Sequence, residues 1–124
     1  MKPQVETLLR DEPGELVIPA PVSAEVDYLL GRRLGRAARL TFLEDLAAGR
    51  FKVACLESDE HGVVTALERR YEDLDAGLAD LSVVIVARRF ATRRILTFDQ
   101  RHFRALRPLN GGRFTLLPAD ARRS

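Results

Sequence analysis

Short apolar runs alternate with stretches of helical periodicity, and this alternation most constrains the fold of the chain. Residues 16–18 are apolar and are followed by Pro19, which is typical of a short buried strand. Four apolar residues then recur at the spacing that places side chains on one helix face: Val22, Val26, Leu29 and Leu30. Strands that alternate with helices predict an α/β domain with a mostly parallel sheet.

The same alternation continues to the end of the chain. Further strands are predicted at 51–55, 95–98 and 114–117. Further helices are predicted at 37–47, 58–71, 78–91 and 101–106, and Gly31 and Gly35 are expected to break the first helix. Residues 1–10 have the pattern of the later part of a helix.

Length and composition limit the class of protein. A chain of 124 residues predicts a single domain over residues 1–124. Cys55 is the single cysteine, so an intramolecular disulfide and a cysteine-based zinc cluster are excluded. No apolar run approaches the ~18 residues of a membrane span, and the first residues lack the pattern of a signal peptide. We therefore expect a cytoplasmic domain without membrane association.

A near-neutral total charge conceals a strong separation of sign. The chain has 20 basic and 18 acidic residues, and all basic residues except Lys2 and Lys52 are arginine. Seven arginines lie between Arg88 and Arg107, against one acid, Asp99. Such a group is either a solvated face or a surface for phosphates, and three of its members are candidates for RNA contact: Arg101, Arg104 and Arg93.

Three acids fall where parallel sheets bind ligands, beyond the carboxyl ends of strands. Glu25 follows the first strand, Asp80 lies in the opening turn of the helix after Gly77, and Asp99 follows the strand at 95–98. Each alone could be a helix-dipole acid or an N-cap. Carboxylates that converge favour a divalent cation such as Mg²⁺ or Mn²⁺, which suits phosphodiester hydrolysis.

The motifs that carry these acids resemble those of PIN-domain ribonucleases. The segment from Pro21 to Leu30, with Glu25, is similar to the second acidic motif of that family, and Gly77-Leu78-Ala79-Asp80 is similar to the third. The segment from Ile95 to Asp99, with Arg101-His102-Phe103 after it, resembles the fourth. The order and intervals resemble VapC-type toxins over essentially the whole chain.

The resemblance implies a fold, an activity and partners. It implies a three-layer α/β/α domain, and a Mg²⁺-dependent (or Mn²⁺-dependent) endoribonuclease that cleaves structured RNA such as tRNA. Glu25, Asp80 and Asp99 would be its catalytic residues and metal ligands. A cognate VapB-type antitoxin would silence it, and a homodimer is expected.

The chain departs from the family at one motif. The family has a first Asp at the end of an N-terminal strand in the middle of the sheet; Asp11 follows the predicted N-terminal helix and cannot be that residue. We therefore expect a sheet without its first central strand, and little or no nuclease activity from the chain as given. A start upstream of Met1 is the favoured explanation, and a partner or a rearranged strand that fills the gap is the other. The alternative is a non-catalytic PIN-like module that binds RNA or an antitoxin.

The remaining candidates have competing interpretations. Thr97 could support the metal site or cap Asp99, and His102 could assist catalysis or form a structural hydrogen bond. Tyr28 and Phe51 could stack RNA bases, although core packing explains both more simply. Alternation with polar residues on a strand predicts that the side chain of Cys55 lies in the core.

Overall fold

The first half of the chain forms a strand and a helical hairpin. The computed structural model describes residues 16–97, 100–117, 119 and 120. Strand β1 (Leu16–Pro19) leads directly into helix α1 (Ala20–Arg33), where Pro21 lies in the first turn and needs no intrahelical hydrogen bond. Helix α2 (Arg36–Ala47) follows after Gly35, whose φ of 97° requires a glycine-like backbone. Residues 1–10 and Asp11 lie outside the described residues.

Strand β2 (Phe51–Ala54) pairs with β1 in parallel, with Leu16 opposite Phe51. Helix α3 (Ser58–Arg70) begins at the position that the acids of its first turn predict. One of these acids caps the helix, since Oε1 of Glu60 accepts a hydrogen bond of 2.9 Å from the backbone N–H of Glu57. A short 3-10 helix (Glu72–Leu74) then leads towards the most buried helix.

Helix α4 (Leu78–Arg89) carries six buried residues and runs through the core. Strand β3 (Arg94–Leu96), helix α5 (Arg101–Ala105) and strand β4 (Thr115–Leu117) complete the described chain. Strands β3 and β4 are parallel, with Arg94 opposite Thr115 at their amino ends. The sequence-based prediction of an α/β fold with parallel strands is confirmed.

The described strands form two parallel pairs, β1 with β2 and β3 with β4. A continuous sheet would need a strand between pairs, and the described residues do not supply one. None of the described helices has the length and apolar character needed to cross a membrane.

The core lies around α4. Its largest fully buried side chains include Leu81 and Ile85 of α4, Leu106 after α5, and Leu116 of β4. Helix α1, by contrast, has no fully buried residue, although it packs against β1, α2 and α4. The helix therefore leaves a wide face open to solvent among the described residues.

Two predictions about local structure are wrong. Gly31 does not break α1, which continues to Arg33, and only Gly35 marks its end. In β2, Ala54 is buried while Val53 is 45% exposed and Cys55 is exposed. The alternating pattern correctly predicted the strand but assigned the wrong face of it to the core. The face that carries Ala54 is buried instead, because this small residue packs opposite Pro19.

Candidate active site at the start of helix α4

Asp80 is the third residue of α4, directly after the turn at Gly77. Gly77 has an extended backbone and precedes the first helical residue, and its carbonyl accepts a hydrogen bond of 3.0 Å from the N–H of Leu81. The carboxylate of Asp80 therefore lies at the amino end of α4, in its first turn. Its side chain is 29% exposed, which leaves it accessible to a ligand.

His102 of α5 lies in direct contact with this carboxylate. The Nδ1 atom of His102 and the Oδ2 atom of Asp80 form a hydrogen bond, in which the ring N–H donates and the carboxylate accepts. The imidazole is 23% exposed, so both partners are partly shielded from water. The bond occupies one oxygen of Asp80, and no described residue bonds to its Oδ1.

Ser82 stabilises the same helical turn, although the sequence analysis did not single it out. Its side chain is fully buried, and its hydroxyl donates a hydrogen bond of 2.6 Å to the carbonyl of Ala79. This bond back to residue i−3 satisfies the hydroxyl of the one polar residue that is fully buried among the described residues. A serine within an apolar helix, two residues after the candidate acid, is the sequence signal that could have indicated this role of Ser82.

Glu25 lies in the second turn of α1 and is exposed. Helix α1 packs against α4, so the elements that carry Glu25 and Asp80 are neighbours. Asp99 lies outside the described residues. Within the described ranges, no three His, Cys, Asp or Glu side chains are grouped as a metal site would require. The described part of the site therefore offers separate carboxylates and one acid–histidine pair.

Thr97 and Arg101 lie on either side of residues 98 and 99, which are outside the described residues. The backbone N–H of Thr97 donates a hydrogen bond of 2.9 Å to the carbonyl of Leu117, which extends the pairing of β3 with β4. Thr97 thus lies at the carboxyl end of β3, as the sequence analysis expects. Arg101 is the exposed first residue of α5.

Arg104 has close protein partners. Its guanidinium donates hydrogen bonds of 2.7 and 2.9 Å to the two carboxylate oxygens of Asp120, and bonds to the side chain of Gln100 as well. The ion pair with Asp120 raises the pKa of Arg104 above its ordinary value. Asp120 also accepts a hydrogen bond of 2.8 Å from the N–H of Leu116. This geometry ties α5 to the end of β4, a role that the sequence analysis missed.

Arg93 lies at the opposite end of β3 from Thr97. Four residues of extended chain place the two backbones roughly 13 Å apart. The guanidinium of Arg93 packs over Gly112, where an added Cβ would lie 3.0 Å from it. Arg93 is exposed, but it belongs to the amino edge of the β3–β4 pair rather than to the edge that carries Thr97.

The two aromatic candidates differ in their surroundings. Phe51 packs on Phe42 with ring centroids 5.9 Å apart, so the packing interpretation is correct for it. Tyr28 is 55% exposed, and the guanidinium of Arg32 lies 5.8 Å from its ring centroid. The packing interpretation is therefore wrong for Tyr28.

Comparisons with known proteins agree on one family. A family model described as PIN domain matches residues 2–107. Ribonuclease VapC26 of Mycobacterium tuberculosis (strain ATCC 25618 / H37Rv) is 44% identical over 103 residues, which are 83% of this chain and 76% of that protein. The crystal structure of Mycobacterium tuberculosis VapC20, a Sarcin-Ricin loop cleaving toxin, has a similar fold. It matches with a TM-score of 0.70 at 18% identity over 78% of this chain and 75% of that chain.

Proposed function

The chain belongs to the PIN-domain family of VapC type, and from this premise we propose that it is a metal-dependent endoribonuclease, the toxin of a toxin–antitoxin pair. The observation that carries the proposal is the half-buried Asp80 at the start of α4, with one oxygen held by His102. A carboxylate fixed at a helix start and open on its other oxygen is suited to bind a cation that acts on phosphate.

The cation of the proposed site is Mg²⁺ or Mn²⁺. Asp80, Glu25 and Asp99 would hold it, and the described donors fit, since both are carboxylates and hard divalent ions prefer oxygen ligands. Such an ion activates water and neutralises charge on a phosphodiester. His102 keeps Oδ2 of Asp80 in one place, and the buried hydroxyl of Ser82 stabilises the turn that presents it.

The proposed substrate is structured RNA, such as tRNA. VapC20 is described as cleaving the sarcin–ricin loop, which supports structured RNA as the substrate class. Arg101 would contact phosphate near the candidate site, since it is the exposed first residue of the helix that carries His102. Arg104 and Arg93 are further candidates: Arg104 bonds Asp120, and Arg93 lies at the amino edge of the β3–β4 pair.

The proposed partners are a VapB-type antitoxin and a second copy of the chain. The relative's name places it among VapC ribonucleases, which supports an antitoxin partner for this chain. A chain that cleaves cellular RNA must be silenced during growth, and a protein inhibitor would do so without consuming the enzyme. The proposed location is the cytoplasm, where the RNA substrate is.

The replacement Asp80→Asn tests the proposal. The test uses a version of the chain that is extended upstream by a strand with the family's first Asp, because little cleavage is expected of the chain as given. The amide keeps the size of the side chain but removes the charge, so cleavage of tRNA in Mg²⁺ or Mn²⁺ should be abolished while the circular dichroism spectrum stays unchanged. Asp73→Asn, an exposed acid on the 3-10 helix, is the matched control and should cleave normally. Equal cleavage by Asp80→Asn and wild type would refute the assignment of Asp80.

The non-catalytic alternative makes a separate prediction. A PIN-like module without catalysis would bind RNA or antitoxin, and even the version extended upstream would cleave no RNA with either cation. Binding without cleavage in both cations would therefore favour the alternative over the ribonuclease.

A further inference from the structure

Helix α1 presents an exposed face on which an aromatic and a basic residue, Tyr28 and Arg32, lie next to the proposed metal ligand Glu25. Glu25, Tyr28 and Arg32 are spaced i, i+3 and i+7, so they fall within an arc of about 60° on the helix. All three side chains are exposed. The face therefore runs from the proposed metal ligand along the helix towards its carboxyl end.

We infer that Tyr28 and Arg32 form a stacking site for an unpaired base of the RNA substrate, next to Glu25. The inference rests on the proposed ribonuclease function and adds to it a residue-level site for substrate recognition. An exposed tyrosine has no packing role to explain it, and an aromatic ring is a surface on which any base can stack.

The guanidinium of Arg32 lies beside the ring of Tyr28. The guanidinium lies 5.8 Å from the ring centroid, within the range of a cation–π interaction. A positive group held at an aromatic ring is also placed to meet a phosphate or the face of a stacked base. The pair thus combines the two elements of single-strand recognition in one helical turn.

The charge around the pair matches a polyanion. Arg33 and Arg36 are exposed at the junction of α1 and α2, close in sequence to Arg32. Arginines at the end of α1 also complement the negative end of its dipole, so their charges are stabilised there. A nucleic-acid strand that crosses this junction would meet the arginines through phosphates and Tyr28 through a base.

Binding of RNA in the presence of a chelator tests the site without cleavage. A short fluorescein-labelled single strand is titrated with wild type, Tyr28→Ala and Tyr28→Phe, and its anisotropy is followed. Tyr28→Ala should weaken binding about five- to a hundredfold, as the loss of one stacked base does, whereas Tyr28→Phe should bind within about twofold of wild type. Duplex RNA, whose bases are already stacked, should bind all three equally.

The arginine partner has a matched control. Arg32→Ala should weaken binding of the single strand. It should also reduce the slope of log affinity against log salt concentration by about 0.7 in magnitude, which corresponds to the loss of one phosphate contact. Arg70→Ala removes the same charge from a guanidinium that lies 5.4 Å from the ring of Tyr71 on another helix, and should leave the slope unchanged.

Three results would overturn the stacking site. The first is equal single-strand affinity of Tyr28→Ala and Tyr28→Phe. The second is no binding of RNA by wild type. The third is a change of Tyr28→Ala from dimer to monomer in sedimentation, which would place the ring between protein copies. If wild type binds through Tyr28 but neither it nor the version extended upstream cleaves RNA with any divalent cation, the ribonuclease proposal fails and the stacking site stands.

Discussion

The imidazole of His102 and the carboxylate of Asp80 form a hydrogen bond across 22 residues of sequence. The bond joins the short helix α5 to the first turn of α4, so the position of one helix sets the orientation of the candidate acid on the other. Because the carboxylate accepts through Oδ2, the ring determines which oxygen stays available. Residues that hold a ligating group in this way influence metal binding nearly as much as the ligands.

The replacement His102→Ala should weaken Mn²⁺ binding about ten- to a hundredfold, since Asp80 loses the donor that orients it. Calorimetric titration with Mn²⁺ measures this directly, without RNA. His61→Ala is the matched control, because His61 is the other histidine and is exposed on α3. Unchanged Mn²⁺ affinity in His102→Ala would show that the bond serves stability alone.

The placement of Asp80 was predictable, but its partner was not. Gly77 before an apolar helical stretch indicates a helix start, and an acid three residues later must lie in the first turn. The contact with His102 depends on how α5 packs against α4, and helical periodicity carries no information about that packing. The sequence thus indicated that His102 follows the candidate acids, but it could not distinguish a catalytic role of this histidine from a structural hydrogen bond.

The ion pair of Arg104 with Asp120 should stabilise the docking of α5 on β4. Asp120→Ala removes the partner of Arg104 and also leaves the N–H of the fully buried Leu116 without that acceptor. An orphaned buried donor costs about 1–3 kcal/mol. The free energy of unfolding in urea should therefore fall more for Asp120→Ala than for Arg104→Ala. The reverse order would show that the bond to Leu116 contributes little.

A second coupled pair lies in the α1–α2 hairpin. The guanidinium of Arg39 occupies the space beside Gly31, where an added Cβ would lie 2.0 Å from it, and it pairs with Asp27 at 3.3 Å. Alanine normally stabilises a helix interior by about 0.5–1 kcal/mol relative to glycine. Gly31→Ala should bring no such gain in wild type, because the Arg39 side chain must leave Asp27.

In an Arg39→Ala background the space beside residue 31 is free, so Gly31→Ala should raise the free energy of unfolding by the usual helix-interior gain. Urea unfolding of the four proteins of this cycle measures the coupling. An equal gain from Gly31→Ala in both backgrounds would mean that Arg39 moves aside without loss.

Exposure was harder to predict than secondary structure. The spacing of Val22, Val26 and Leu29 located α1, yet the exposure of Tyr28 depends on which neighbours cover each flank of the helix. In β2, alternation cannot decide between two faces when one carries Ala54 and the other Val53 and Cys55. The bonds that Arg104 and Arg39 form with residues distant in the sequence produce no periodic pattern from which they could be predicted.

The pairing of Arg89 with Glu60 predicts a pH-dependent contribution to stability. Arg89 bonds Glu60 and also the carbonyl of Cys55 at 2.7 Å, and its hydrogen bond lowers the pKa of Glu60 below the ordinary value. A lowered folded-state pKa stabilises the protein above the ordinary pKa of glutamate, and this stability is lost as the pH falls through the lowered pKa. Glu60→Gln should therefore lower Tm at pH 7, and the difference from wild type should shrink as acid protonates Glu60. A difference that stays constant with pH would assign the effect to lost packing instead.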